Sequence, residues 1–322
     1  MKRTFFLTIT AVALFAATDP TASAQQPSTP VTQPEAPATG TDATAKQSSG
    51  VNGVKKSLAQ DGLFQKKIIA TRDPIPYPYI READVIWSKR IWRTIDLREK
   101  MNFPLYYPTE DMALRRSLVQ SLVDAIHSGE IRAFDPEDDE FTTLLSPQDL
   151  SARFDAVDKT ERRQKMDGSG DTTIVIRGEY RWDEVRELLV KEDWFFDKHH
   201  SKMMVRIVGI CPIKVYKKQL NTGGDDDVDG ELQKKQLFWV HYDEVRNVLA
   251  RTPAYISNND ATTTSYDDIF NKRRFSSYIT KESNPHNNRS ISSYISDGYT
   301  ALLESERIKN EIFIFEHDLW EY

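Results

Sequence analysis

Apolar residues recur at every fourth position within residues 109–129, and this is the clearest helical pattern in the chain. Four positions carry the pattern: Leu114, Leu118, Leu122 and Ile126. This spacing places the four side chains on one face of a helix. Thr109 can cap the amino end, and Gly129 suits the position just beyond the carboxyl end. The sequence therefore predicts an amphipathic helix over 109–129.

Shorter patterns predict the remaining elements. A helix should begin at Ser146, because Pro147 suits the first helical position and Asp149 the first turn. Amphipathic spacing predicts two further helices, over 183–192 and 243–251. Apolar runs predict three strands, at 172–177, at 203–216 with an interruption at Pro212, and at 237–242. This mixture predicts an α+β fold with a compact core at 109–255 and a mostly helical region at 256–322.

The segment 74–108 places aromatic and basic residues in close alternation between two proline-aromatic clusters, and two periods fit it. Trp87, Ile91 and Ile95 form a helical stripe, but together with Val85 and Leu97 they also fit an alternating strand. We favour a helix over 84–98 and keep the strand as the alternative.

The composition of this segment is typical of a protein-binding surface. Aromatic side chains provide large contact areas at low entropic cost, and arginine stacks on aromatic rings or binds carboxylates. Such residues are enriched at the centres of interfaces. We therefore predict an extended aromatic-basic docking segment over 61–108, ahead of the core. The candidates for partner binding are Tyr77, Tyr79, Arg81, Trp87, Arg90, Trp92, Arg93, Tyr106 and Tyr107.

The same segment closely resembles the hallmark segment of the GldN/PorN family, periplasmic components of the type IX secretion and gliding machinery of the Bacteroidetes. The resemblance extends from about Asp61 to at least Leu249. It implies a non-enzymatic structural subunit that assembles with a GldK/PorK-like outer-membrane lipoprotein. Copies of the chain would associate laterally in a ring under the outer membrane, coupled to inner-membrane motor components of the GldL/GldM kind. Such a ring supports protein secretion and, in gliding species, motility.

The amino-terminal residues indicate export. Residues 1–24 read as a signal peptide, with Lys2 and Arg3 ahead of an apolar stretch and small residues at the cleavage site. Residues 25–60 are rich in Pro, Thr, Ala and Gln, a composition that predicts a disordered linker. No later segment has the roughly 20 apolar residues of a membrane span. We expect a periplasmic protein held at the inner face of the outer membrane through a partner.

Composition and charge narrow the range of partners. The formal net charge is −6 and 29% of residues are charged, with a mean hydropathy of −0.57. This balance argues against nonspecific binding to nucleic acid. Cys211 is the only cysteine, so the chain has no intramolecular disulfide. We expect a buried thiol in a strand, with pairing to a partner as the alternative.

One acidic loop resembles the start of a calcium site. Asp225, Asp227 and Asp229 alternate ahead of Gly230, as hard oxygen ligands do in calcium loops. The twelfth position is Gln236, however, where such loops carry a bidentate glutamate. We expect a solvated acidic hairpin tip, and a calcium site is the weaker alternative.

No pattern in the chain predicts a catalytic centre or a cofactor. His199 and His200 are adjacent and point in different directions, so they are poor ligands for one ion. The acidic run at 137–140 permits a glycosidase-type carboxylate pair but does not specify one. We therefore predict a non-enzymatic protein without a cofactor. The alternatives are a periplasmic glycan-processing enzyme and a calcium-stabilised binding module.

Overall fold

A seven-stranded antiparallel sheet organises the computed structural model. The structure describes residues 67–319, apart from 113–114, 165–170, 177, 218–231, 257–258, 260 and 262. The predicted signal peptide, the linker and the acidic loop with Asp225, Asp227 and Asp229 lie outside the described residues. The described elements combine helices with an antiparallel sheet, which confirms the predicted α+β class.

The described strands are β1 (Val85–Asp96), β2 (Ala133–Phe134), β3 (Lys159–Gln164), β4 (Asp171–Ile176), β5 (Val185–Asp197), β6 (Lys202–Lys217), β7 (Leu232–Gln236), β8 (Trp239–His241) and β9 (Tyr278–Glu282). The sheet has the order β2-β8-β6-β5-β1-β9, and β7 pairs with β6 beside β8. Strands β3 and β4 form a separate hairpin.

The described α-helices are α1 (Lys67–Ala70), α2 (Phe103–Tyr106), α3 (Leu118–His127), α4 (Pro147–Arg153), α5 (Tyr242–Arg251), α6 (Tyr266–Asn271) and α7 (Gly298–Asp318). Short 3-10 turns precede β1 and β5, at Glu82–Asp84 and Trp182–Glu184. Among the described helices, none combines the length and apolar character needed to cross a membrane.

The helix favoured over 84–98 is wrong and the alternative of a strand is confirmed, because Val85–Asp96 forms β1. β1 lies between β5 and β9, so backbone hydrogen bonds are available on both of its sides. Its first half alternates between half-buried and exposed side chains, but every residue from Ile91 to Ile95 is buried. Burial on both sheet faces hides the alternation that marks a strand in sequence.

The helix predicted over 183–192 is also wrong, because Val185–Asp197 is the long inner strand β5. β5 pairs with β1 on one side and β6 on the other, and these pairings override the helical tendency of the local sequence. β6 continues through Pro212, so the predicted interruption is absent. The Pro212 carbonyl accepts a hydrogen bond from Leu237 N at 3.0 Å.

The helix predicted from Thr109 begins later, at Leu118 in α3. Ser117 is the cap: its hydroxyl accepts from Gln120 N, and the Gln120 side chain accepts from Ser117 N. Leu114 lies outside the described residues. The carboxyl end agrees with the prediction, because Gly129 has a φ of +78°, in the left-handed region beyond the helix.

Two other predicted helix starts are confirmed, at Ser146 for α4 and at 242–243 for α5. The strand predicted at 172–177 corresponds to β4. That at 237–242 is reduced to the three residues of β8. The region 256–322 contains α6 and α7 but also the edge strand β9, which the sequence pattern did not indicate.

The two faces of the sheet are covered differently. On one face, α3 and α5 pack on strand residues that include Ile95, Leu188 and Ile210. Towards the other end of the same face, α7 packs on Ile91 and Ile279. We call this the helical face. On the opposite face, Trp92, Phe134, Cys211 and Trp239 cluster under Phe141 from the loop that follows β2. We call this the loop face.

Candidate functional site

The proline-rich start of the predicted docking segment lies outside the sheet as an extended strap, residues 73–80. Its prolines have no N–H to donate, so these residues cannot complete a β-ladder. Two arginines bind its carbonyls instead. Arg246 Nη2 donates to Ile75 O at 2.5 Å, and Arg206 Nη2 donates to Pro78 O at 2.5 Å.

Tyr77 fastens the strap through its ring. The Arg246 guanidinium carbon lies 4.0 Å from the ring centroid, and that of Arg206 lies 5.0 Å away. Burial raises the pKa of the Tyr77 hydroxyl, and Arg246 opposes this rise. Tyr79, two residues further on, is 86% exposed. The strap therefore presents Tyr79 to solvent while Tyr77 holds it to the body.

A buried polar network anchors the strap to α6. Asp267 accepts from Tyr242 Oη at 3.1 Å and from Arg246 Nε at 3.3 Å. Burial and the neighbouring Asp267 raise the pKa of Tyr242 well above its ordinary value. Next to it, Asp268 accepts two hydrogen bonds from Arg72, at 2.6 and 3.0 Å. Asp267 thus binds the arginine that holds the strap, and the adjacent Asp268 binds Arg72, which immediately precedes the strap.

Arg93 and Trp92 are built into the interior and are not accessible to a partner in this structure. Arg93 is 7% exposed and its Nε lies 3.3 Å from Oε2 of the fully buried Glu192. Arg273 donates two hydrogen bonds to the same carboxylate, at 2.9 and 3.2 Å. Burial lowers the pKa of Arg93, and Glu192 opposes that shift. Trp92, 3% exposed, lies on the loop face with Lys281 Nζ 4.1 Å from its ring centroid.

Trp87 and Arg90 each have an internal partner. The Trp87 ring stacks on Phe315 of α7, with the centroids 4.8 Å apart. Arg90 lies on the other face of β1 and donates to both carboxylate oxygens of Asp193, at 2.6 and 2.9 Å. Trp87 therefore fixes the end of α7 on the sheet, whereas Arg90 forms a partly exposed ion pair.

The carboxyl end of the segment forms an aromatic corner, consisting of Phe103, Tyr106 and Tyr107. Tyr106 packs edge-on against Tyr107 at 4.9 Å, and its hydroxyl donates to Asp183 O at 3.0 Å. Tyr107 is 52% exposed and Phe103 39% exposed. The cis peptide between Tyr107 and Pro108 ends the corner.

The nine predicted residues therefore do not form one continuous patch. Tyr79 and Tyr107 present exposed rings, and Arg81 presents a side chain that is 64% exposed and paired with Asp84. The remaining six contact other parts of the chain: Tyr77, Trp87, Arg90, Trp92, Arg93 and Tyr106. The exposed candidates lie on the strap, immediately after it and at the aromatic corner.

The candidate histidine and cysteine chemistry resolves into structural contacts. His200 Nδ1 is in close contact with Asp197, whose pKa is lowered by the hydrogen bonds from His200 and from the backbone. Within the described residues, no three His, Cys, Asp or Glu side chains come together as metal ligands would. Cys211 is fully buried, as predicted, and burial raises the pKa of its thiol to about 12.

One exposed apolar surface was missed from sequence, on the outer side of α7. Tyr299, Leu302, Leu303, Phe313 and Ile314 are each about half exposed or more. Helix α7 has apolar residues on two sides, so its pattern does not show the usual polar outer face. That excess of apolar residues was the available signal.

The comparisons with known proteins agree with the sequence resemblance. A family model described as "GldN: Gliding motility associated protein GldN" matches residues 80–321, which is more than half of the chain. The match begins at the end of the strap and includes the whole sheet and α7. No curated protein matches the chain.

Proposed function

The chain belongs to the GldN family of gliding motility associated proteins, and we propose that it is a structural subunit of the type IX secretion and gliding machinery. In this proposal it assembles with a GldK/PorK-like outer-membrane lipoprotein and with further copies of itself. The product is a periplasmic ring under the outer membrane that connects to inner-membrane motor components of the GldL/GldM kind. The subunit acts by binding and carries out no reaction.

The observation that supports this role is the position of the exposed apolar side chains. Outside the core, large apolar residues concentrate in two places among the described residues: the segment 68–107 and helix α7. Where exposed apolar groups adjoin, as on the outer side of α7, they mark surfaces that other proteins cover. Tyr79 and Tyr107 are the aromatic residues that we propose contact the lipoprotein.

The structure determines how this proposal can be tested. Deletion of 74–108 would remove β1, an inner strand of the sheet, so loss of binding would only report unfolding. Surface substitutions avoid this problem. We propose to co-express the full chain with the lipoprotein and to measure co-purification of a Tyr79→Ala, Tyr107→Ala double variant.

The expected result is reduced co-purification at an unchanged melting temperature. Tyr294→Ala is the matched control, because Tyr294 is an exposed aromatic residue (41%) outside the segment. Failure of the unaltered chain to co-purify with the lipoprotein, or to form rings visible by electron microscopy, would contradict the proposed function itself.

A further inference from the structure

Helix α7 has two apolar sides, and only one of them packs on other described residues of the chain. Ile308 and Ile312 are buried against the helical face of the sheet, and Phe315 stacks on Trp87. At about 100° per residue, a second set falls on the opposite side of the helix. This outer stripe consists of Tyr299, Leu302, Leu303, Glu306, Asn310, Phe313, Ile314 and His317. Its large apolar members are exposed by 49% to 71%.

The outer stripe is symmetrical about the level of Ile308. Leu302 and Ile314 lie six residues before and after this level, and Leu303 and Phe313 lie five residues before and after it. Glu306 and Asn310 lie two residues to either side. The leucines at one end therefore mirror Phe313 and Ile314 at the other, an acceptor mirrors a donor in the middle, and the outermost pair is Tyr299 with His317.

We propose that two copies of this chain pair through α7, packed antiparallel about a two-fold axis at the level of Ile308. In this arrangement Leu302 of each copy lies opposite Ile314 of the other. Leu303 lies opposite Phe313. A contact of this kind is isologous: one surface meets itself. Self-complementarity is what such a contact requires, whereas a docking face for an unrelated protein needs no internal symmetry.

The polar centre of the stripe sets the register. The Glu306 carboxylate can accept hydrogen bonds from the Asn310 side-chain amide of the other copy, and the symmetry makes this contact twice. A shift by four residues would place either Glu306 opposite Ile314 or Asn310 opposite Leu302, and the other polar residue opposite its own copy. The stripe extends for about 27 Å along the helix, so each copy contributes a narrow, elongated surface. This inference rests on the proposed structural role. Because a two-fold contact closes on itself, it pairs subunits, and closure of the ring requires a second, head-to-tail contact between copies.

Disulfide trapping tests the register directly. We propose to prepare Glu306→Cys and Asn310→Cys as single variants of the full chain and to oxidise each alone and the two mixed. In the proposed pair, opposite positions are close enough for a disulfide. The same position on two copies is displaced by about 6 Å along the axis, which takes the Cα separation beyond about 7 Å. Only the mixture should give a cross-linked dimer, since the native Cys211 is buried.

Arg307→Cys mixed with Lys309→Cys is the matched control. These residues lie at equivalent heights about the level of Ile308 but on opposite flanks of the stripe, so they should not cross-link. Equal cross-linking in this control, or none in the Glu306/Asn310 mixture, would overturn the proposal.

Self-association in solution provides an independent measurement. Sedimentation equilibrium should show that Leu303→Glu weakens dimerisation by roughly tenfold or more. At concentrations where the chain is monomeric, its melting temperature should stay unchanged, because Leu303 is 52% exposed in the single chain. A chain that is monomeric at all concentrations would overturn the inference, as would loss of lipoprotein binding in Leu303→Glu without any change in self-association. Neither result would contradict the proposed function, which fails if the unaltered chain does not bind the lipoprotein or does not form rings with it.

Discussion

Arg246 lies over the ring of Tyr77, with its guanidinium carbon 4.0 Å from the ring centroid. The same side chain donates to Ile75 O and pairs with the buried Asp267. One arginine on α5 thus joins the strap, α5 and α6. Together with Arg206, which donates to Pro78 O, this contact holds the strap that carries the exposed Tyr79.

Arg246→Met should destabilise the protein by about 3–5 kcal/mol, because it leaves Asp267 buried without its cation. Equilibrium unfolding in urea measures this change. Tyr79→Ala is the control on the same strap, and we expect it to lie within about 0.5 kcal/mol of wild type because Tyr79 is exposed. Similar losses in both variants would show that the strap does not depend on Arg246.

Glu192→Gln should destabilise the protein by about 3–5 kcal/mol, because Arg93 and Arg273 would lose the buried carboxylate that they share. Asp193→Asn, at the next position of β5, should cost only about 0–1 kcal/mol. Asp193 faces the other side of the sheet and pairs with Arg90 at the surface, where solvent screens the charges. Urea unfolding of both variants makes the comparison. A larger effect at Asp193 would contradict the assignment of these two carboxylates.

The sequence predicted those elements whose signals are local. Ser146 and Pro147 begin α4 as expected, and Gly129 follows α3 in the left-handed region, because capping depends on residues within one turn. The serine-to-glutamine spacing from Ser117 to Gln120 was an equally local capping-box signal. The apolar spacing at 114–126 outweighed it, so the helix was predicted to begin too early.

Strands β1 and β5 could not be predicted in the same way, because their partners are distant in sequence. Ile91 pairs with Glu192 on one side and Glu282 on the other. This pairing buries Trp92 and Arg93 on opposite faces of the sheet, and it removes them from the docking surface that their residue types suggested. Composition correctly identified an unusual segment, but only the fold separates its exposed rings from its interior.

Asp268 should stabilise the protein at neutral pH and lose this stabilising effect in acid. Its burial alone would raise its pKa, but the two hydrogen bonds from Arg72 and those from Ser265 hold the pKa below the ordinary value. A carboxyl whose pKa is lower in the folded state stabilises the protein above its unfolded pKa, about 3.9 for Asp. That contribution is lost as the pH falls from there through the folded pKa.

Asp268→Asn should therefore reduce stability at neutral pH and flatten the loss of stability below about pH 4. Asparagine keeps an oxygen that can accept from Ser265, so the cap of α6 is retained. Chemical denaturation from pH 2 to 7 measures the effect. Arg72→Met should likewise reduce the loss of stability below about pH 4. The double variant should lose less stability at neutral pH than the two single variants lose in sum. If both single variants lose as much stability below about pH 4 as the wild type, this role of Asp268 is contradicted.

Cys211 should not react with thiol reagents in the folded protein. Its side chain is fully buried, and burial raises its pKa to about 12, so the reactive thiolate is nearly absent at neutral pH. Labelling with Ellman's reagent should be complete in denaturant and negligible without it over the same period. Rapid labelling of the native chain would show that the loop face opens, and it would favour the alternative that this cysteine pairs with a partner.

Substitution by alanine should change the stability of the protein in opposite directions at two glycines. A Cβ added to Gly178 would lie 2.2 Å from the backbone carbon of Ala156, and backbone cannot yield as a flexible side chain can. Gly178→Ala should therefore cost about 1–3 kcal/mol. Gly298, the first residue of α7, has no atom within 4 Å of the added Cβ.

Gly298→Ala should stabilise the protein by about 0.4–1 kcal/mol, because alanine restricts the unfolded chain more than glycine does. Thermal unfolding of both variants measures whether each substitution raises or lowers the melting temperature. The substitution at Gly298 also separates the stability of α7 from its outer stripe, since residue 298 lies outside that stripe. If Gly298→Ala raises the melting temperature, self-association should stay the same. A change in dimerisation without a change in melting temperature would mean that the contact between copies includes the start of the helix.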